Sequence, residues 1–216
     1  MRFDWLFQQR ENIATLLGWH VYLSIIPVLI GLALAIPVGG LLHRCGKFKD
    51  GILNLLGLLY TIPSLALFVL LPGLLGTKIL DAVNVVVALT LYAFALLIRT
   101  VCDGLDSVPQ ETHQAAVAMG YRPLQRFLSV ELPLAVPVIA AGMRVVVVSN
   151  VSIVSISALV GMPQLGALFT QGFQLHFLTP IIAGIFLCIA LALLLDNLVL
   201  RTGNKITAWQ PKRNAK

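Results

Sequence analysis

The sequence predicts an all-α protein, a polytopic membrane helix bundle of five transmembrane helices. Three observations predict it. The 216 residues are 58% hydrophobic and only 11% charged, against about 45–50% apolar and about 25% charged in soluble domains, and the mean hydropathy is +0.92. Five apolar stretches approach the roughly 20 residues a helix needs to cross hydrocarbon, rather than the short alternating runs of barrel strands. Basic residues fall unevenly on the loops between them. This composition excludes an ordinary soluble enzyme and a disordered chain. Cys45, Cys102 and Cys188 share no framework spacing, which excludes a disulfide-built domain. The net charge of +6 is dispersed between apolar runs rather than gathered on one patch, so no nucleic-acid partner is expected.

The expected spans are about 20–42, 51–72, 82–98, 134–160 and 180–200, within a single domain covering 1–216. The first is too long for a cleaved signal peptide and no small-residue cleavage site follows it; Pro27 and Pro37 lie within it. The second is interrupted at Tyr60-Thr61-Ile62-Pro63-Ser64. Proline removes a backbone donor there, so the break is either a simple kink or a bend beside a pathway, with Thr61, Pro63 and Ser64 as pathway candidates. The third span closes on Arg99, and the fourth carries Arg144, Ser149, Asn150 and Ser152. Eleven basic residues, from Arg44 to the tail residues Lys212, Arg213 and Lys216, fall on one side of the spans, and only Arg2, Arg10 and Lys78 on the other. The richer side is expected to be cytoplasmic, with the N-terminus outside and the C-terminus inside.

Between spans three and four lies a loop at about 101–133. Ser107 and Gln110 have capping-box spacing, with Pro109 in the first turn. A short helix should run through Gln114, Ala115, Ala116 and Ala118 and close at Gly120, which suits a left-handed position. A second should begin at Pro123 and continue through Phe127 and Leu128 until Pro133. The pair forms either a knob that a protein partner grips, with Ala115 and Ala116 allowing close approach, or an interfacial amphipathic hairpin that anchors the loop.

Gln114-Ala115-Ala116, Gly120 and Val130-Glu131-Leu132-Pro133 resemble, at the same spacing, the coupling motif of binding-protein-dependent ABC importer permeases. Gln114 stands where that family usually has Glu, which keeps the length but loses the charge. The resemblance implies a type I ABC importer (MetI-like) permease fold and a non-enzymatic transport subunit of a bacterial inner membrane. It implies coupling to an ATPase through Gln114, Ala115, Ala116, Gly120, Val130, Leu132 and Pro133. The implied partners are a cytoplasmic ABC ATPase dimer that holds ATP and Mg, a second permease subunit, an extracytoplasmic substrate-binding protein and membrane lipids. Thr61-Ile62-Pro63-Ser64-Leu65-Ala66-Leu67, Ala141-Gly142-Met143-Arg144 and Leu159 to Gly166 are similar to permeases for glycine betaine, choline, carnitine and related osmoprotectants. Met162-Pro163-Gln164 departs from the double glycine frequent in those relatives. Methionine permeases share the fold and motif and are the nearest competitors.

The residues themselves bear on the energy source. Spans one, two, three and five lack Asp, Glu, Lys and Arg across their central stretches, whereas ion-coupled carriers place such groups near the midplane. No phosphate-cradling loop ending in Lys-Ser or Lys-Thr occurs, so the energy should come from another subunit. His20, Asp81, Glu131, Asp196 and Arg201 read as interfacial anchors at span ends, and His43, His113 and His176 have no metal-ligand spacing, so no metal is expected. Arg144 stands as a lone charge inside span four, either snorkelling or acting as a gate or bundle tie. Ser149, Asn150, Ser152 and Ser157 cover an arc of about 160°, with Arg144 and Ser155 on another flank: a pathway wall or ordinary packing. No aromatic cluster is expected mid-span, so the chain reads as a low-affinity conduit, and an aromatic cage for a quaternary cation belongs in the external binding protein.

Overall fold

The computed structural model describes residues 3–209; the basic residues Arg2, Lys212, Arg213 and Lys216 counted above lie outside them. The described residues are mostly helical, with no strand among them. The helices are α1 (Phe3–Gln8), α2 (Arg10–His43), α3 (Lys49–Leu58), α4 (Ser64–Leu75), α5 (Ala82–Asp106), α6 (Gln110–Ala118), α7 (Pro123–Arg126), α8 (Leu132–Ile156), α9 (Ala167–Gln174) and α10 (Leu178–Ile206). Four continuous stretches are long and apolar enough to span a membrane: Arg10–His43, Ala82–Asp106, Pro123–Val160 and Leu178–Ile206. The pair Gly46–Thr61 and Ser64–Leu75, bent by 95°, makes a fifth when taken as one broken span.

Helix α5 is the hub, packed between α2 and α8, while α10 closes the far side of α8. Lipid offers no hydrophobic drive for helices to associate, so close packing of small residues has to supply it. A β-carbon at Gly39 of α2 would come within 2.7 Å of Val101 Cγ1, and one at Gly142 of α8 within 2.2 Å of Thr100 Cγ2. Larger residues at either position would force α5 away from its neighbours. The core that results includes Leu97, Ile98, Val101 and Ala135, all fully buried.

Several boundaries differ from those expected. The first span begins ten residues earlier, at Arg10, because Asn12 and Thr15 dilute its opening turns without breaking the helix. Helix α5 continues past Arg99 to Asp106, so the connecting loop is shorter than 101–133. The capping box does not form: Pro109 is the N-cap of α6, and Ser107 instead donates from Oγ to Gly104 O at 2.6 Å, closing α5. Pro133 does not end the second short helix. A π-helical turn, Phe127–Glu131, joins α7 to α8, with Leu132 N–H donating to Phe127 O five residues back. Proline is tolerated there because it falls in the first turn of α8, where its missing donor has no partner to serve.

Candidate functional site: a helical knob and a broken span

The knob stands at the end of the bundle where α2, α5 and α10 finish and α8 begins. A Schellman closure ends α6: Gly120 N–H donates to Val117 O at 3.0 Å and Tyr121 N–H to Ala116 O at 3.1 Å, with Gly120 at φ +81°. Gln114 and Ala115 are exposed, whereas Ala116 is 1% exposed and packs within its own chain. Only one of the two alanines therefore faces outward. Val117, Met119, Leu124 and Leu128 surround the exposed face with apolar side chains. Val130, Leu132 and Pro133 are half-buried and lead into α8.

Side chains that the sequence reading assigned to other roles fasten this knob. Glu131 is buried, not an interfacial anchor; its Oε1 accepts from Arg126 Nε at 2.7 Å and lies 3.1 Å from His113 Nδ1 of α6. One carboxylate thus links α6, the second short helix and the start of α8. Phe127 is buried against α2 at Gly40, where a β-carbon would come within 2.7 Å of its ring. Arg44 donates to Pro123 O at 3.2 Å. Beside the knob, Lys49 pairs with Asp106, and His43 Nδ1 lies 2.9 Å from the same carboxylate.

The break in the second span is a short extended link. Ile62 (φ −67°, ψ 128°) and Pro63 (φ −58°, ψ 128°) separate the 3₁₀ turn Leu59–Thr61 from Ser64, the first residue of α4. Two hydroxyls satisfy carbonyls freed by the break: Thr61 Oγ1 donates to Leu58 O at 2.7 Å, and Tyr92 OH of α5 donates to Ile62 O at 2.6 Å. Tyr60 and Tyr92 pack edge to face, with ring centroids 5.6 Å apart and an interplanar angle of 78°. An aromatic pair therefore does lie mid-span, contrary to the sequence reading; its members are 32 residues apart and carry no shared local signal.

The polar residues of α8 do not form one wall. Arg144 is not a lone charge: Nε and Nη2 donate to the two carboxylate oxygens of Asp196 in α10 at 2.7 and 2.8 Å. Asp196 is accordingly a partner inside the bundle rather than an interfacial anchor. Asn150 is buried and donates to Ser24 O of α2 at 2.8 Å. Ser149 is half-buried, and Ser152 is exposed with only a 3.5 Å contact to Val148 O on its own helix. Thr61, Pro63 and Ser64 belong to the separate break. His20, read as an anchor, is fully buried, with Nδ1 3.1 Å from Gln164 Oε1 and Nε2 3.1 Å from Val151 O. Gln164, part of the departure from the double glycine, also accepts from Gly166 N–H at 2.5 Å and donates to Ser155 O at 3.2 Å. It holds the turn after α8 against the first span.

Crossing helices, one of them broken mid-way, and a charged-fastened knob at one end define the membrane-embedded subunit of a transporter. A family model described as binding-protein-dependent transport system inner membrane component matches residues 28–207, and the chain belongs to that family. It is 34% identical over 194 residues to the osmoprotectant import permease protein OsmW of Salmonella typhimurium, covering 88% of this chain and 89% of that one. It is 28% identical over 190 residues to the glycine betaine/carnitine/choline transport system permease protein OpuCB of Bacillus subtilis, covering 88% and 86%. Among solved structures, a chain of the inward-facing MetNI methionine ABC transporter superposes with a TM-score of 0.82 at 22% identity, covering 93% of this chain and 98% of that one. That likeness is one of fold, and the fold is the one the sequence resemblance implies.

Proposed function

We propose that the chain is the translocation subunit of an ATP-driven importer for small quaternary-ammonium osmoprotectants such as glycine betaine, choline and carnitine. The observation that carries the reading is the 34% identity, along nearly the whole length, to a permease named for osmoprotectant import. The knob supports the coupling half of it. An exposed Gln114–Ala115 face ringed by apolar side chains fits a cleft on a cytoplasmic ABC ATPase, which holds ATP and Mg. The Glu131 linkage lets a push on α6 move α8 rather than dissipate in a loop. The basic end of the bundle then lies in the cytoplasm of a bacterial inner membrane, and a substrate-binding protein docks at the other. A second permease, identical or homologous, completes the pathway, which opens outward and inward in alternation as ATP is bound and hydrolysed.

The test is uptake of radiolabelled choline and glycine betaine by proteoliposomes holding permease, ATPase and binding protein. Uptake should require ATP and be blocked by excess unlabelled betaine. Competition by methionine alone would replace the osmoprotectant reading with the methionine one, and uptake driven by an ion gradient without ATP would replace it with a secondary carrier.

A further inference from the structure

The break in the second span raises a question of solvation. Thr61, Ile62 and Pro63 are exposed on the surface of the chain, and the backbone of Ile62 and Pro63 is extended rather than helical. Their depth follows from α5, whose Tyr92 hydroxyl is bonded to Ile62 O. Tyr92 lies eleven residues from the N-cap Asp81 and seven from Arg99, or about 16 Å and about 10 Å at 1.5 Å per residue. Those ends bracket roughly the thickness of the hydrocarbon, about 30 Å, so the break sits deep within it. Irregular backbone at such depth is not left facing lipid, because nothing there hydrogen-bonds it; it lines an aqueous cavity or is covered by protein. The exposed flank of the break is therefore directed at water or protein rather than at lipid.

What this flank presents is an aromatic ring. Tyr92 is 3% exposed and fixed by its hydroxyl, whereas Tyr60, packed against it, remains 38% exposed. Tyr92 positions and Tyr60 presents. A permanent cation crossing this depth cannot shed its charge by losing a proton, and the middles of spans two and three hold no carboxylate to meet it. The negative face of an aromatic ring is the group that compensates such a cation, and quaternary ammonium is the ligand it suits.

We propose that Tyr60, oriented by Tyr92 at the break of the second span, is an intramembrane contact site for the quaternary ammonium group of the transported solute. This rests on the osmoprotectant reading above and adds a specific residue to it. The site is a way-station: one ring presents one face, so binding is weak enough for release.

The experiment uses the whole complex in proteoliposomes, with choline uptake measured at saturating loaded binding protein. Phenylalanine at position 60 keeps the ring and should leave the maximal rate within about twofold of the parent, while Tyr60→Leu removes the π face and should lower it about tenfold. Phenylalanines bearing one, two and three ring fluorines at position 60 weaken the ring's negative face stepwise with little change of shape. The maximal rate should fall stepwise with them, a trend that a packing role does not produce. Insertion level and ATPase co-purification serve as assembly controls. If Tyr60→Leu fails to assemble, the fluorinated series decides. A flat fluorine series, or a Tyr60→Leu rate equal to the parent's, overturns the site while leaving the proposed function standing. A parent complex that carries no quaternary amine overturns both.

Discussion

The knob and the broken span are both places where a helix stops, and they are held in opposite ways. At the knob, Arg126 and His113 converge on the single carboxylate of Glu131, so that three segments are joined, and a buried ring locks the second short helix to α2. At the break, two neutral hydroxyls each take one carbonyl, and the rest of the link is exposed. The first arrangement resists deformation, since moving a segment breaks a contact to the buried Glu131 carboxylate. The second is held by two hydroxyls and one ring contact and leaves Tyr60, Thr61 and Pro63 partly exposed. On the proposed function, the contrast suits a part that transmits force and a part that meets cargo.

The largest expected effect breaks the knob. Glu131→Ala leaves Arg126 and His113 without their shared carboxylate, and losing one partner of a buried ion pair costs on the order of 3 kcal/mol. ATPase co-purification and substrate-stimulated hydrolysis should drop more than tenfold, while membrane insertion, followed by protease protection, stays normal. Hydrolysis at the parent level would show that the linkage is ornamental to coupling.

A smaller effect is expected at the turn itself. A β-carbon at Gly120 would meet nothing within 4 Å, so substitution is penalised by conformation alone, roughly 1–2 kcal/mol in the left-handed region. Gly120→Val should reduce ATPase association severalfold, and Gly120→Asn, which tolerates that region, noticeably less. Ala115→Trp adds bulk on the exposed face and should reduce association without altering the knob's own stability, and Gln114→Glu should leave association at or slightly above the parent level. Equal behaviour of the valine and asparagine variants in a pull-down assay would remove the backbone argument.

The smallest effect belongs to the break. Thr61→Val deletes the hydroxyl bonded to Leu58 O, a loss of about 1 kcal/mol, partly recovered where water reaches the freed carbonyl. The thermal midpoint of the purified permease should fall slightly, by less than for Glu131→Ala. A larger fall at Thr61 than at Glu131 would reverse the ranking of the two regions.

Local spacing made some of this legible. Pro63 with its flanking hydroxyls marks the break, and Gly120 with its nine-residue approach to Val130 marks the knob, because each depends on neighbours a few residues away. Long-range partners were not legible. Arg144 and Asp196 are 52 residues apart and His20 and Gln164 are 144 apart, so His20 and Asp196 read as anchors, Arg144 as a lone charge and Gln164 as a departure from a family pattern. Matching depth became visible only with the helix ends in hand: at 1.5 Å per residue, Arg144 lies about 18 Å from the start of α8 and Asp196 about 15 Å from the end of α10, which runs on past the expected boundary at 200. The two helix ends share a face, so the opposite charges stand at matching depth. Ser107 misled for a different reason: α5 is stabilised by packing for two further turns and uses the hydroxyl at its own end.

The Arg144–Asp196 pair also bears on how the protein is made. Synthesis runs from the N-terminus, so Arg144 enters the bilayer before its counter-ion exists, and an unpaired Arg near a helix centre carries an insertion penalty of about 2.5–3.5 kcal/mol. Only when α10 is inserted does the bidentate pair form. Helix α10 thus neutralises a charge carried by an earlier helix, and a chain that stops short of Asp196 keeps Arg144 unpaired. Chains ending before Asp196 should be cleared faster in a pulse–chase experiment than chains ending after Ile206, and Arg144→Leu should erase most of the difference. Equal half-lives for the two lengths would mean that the pair plays no part in biogenesis.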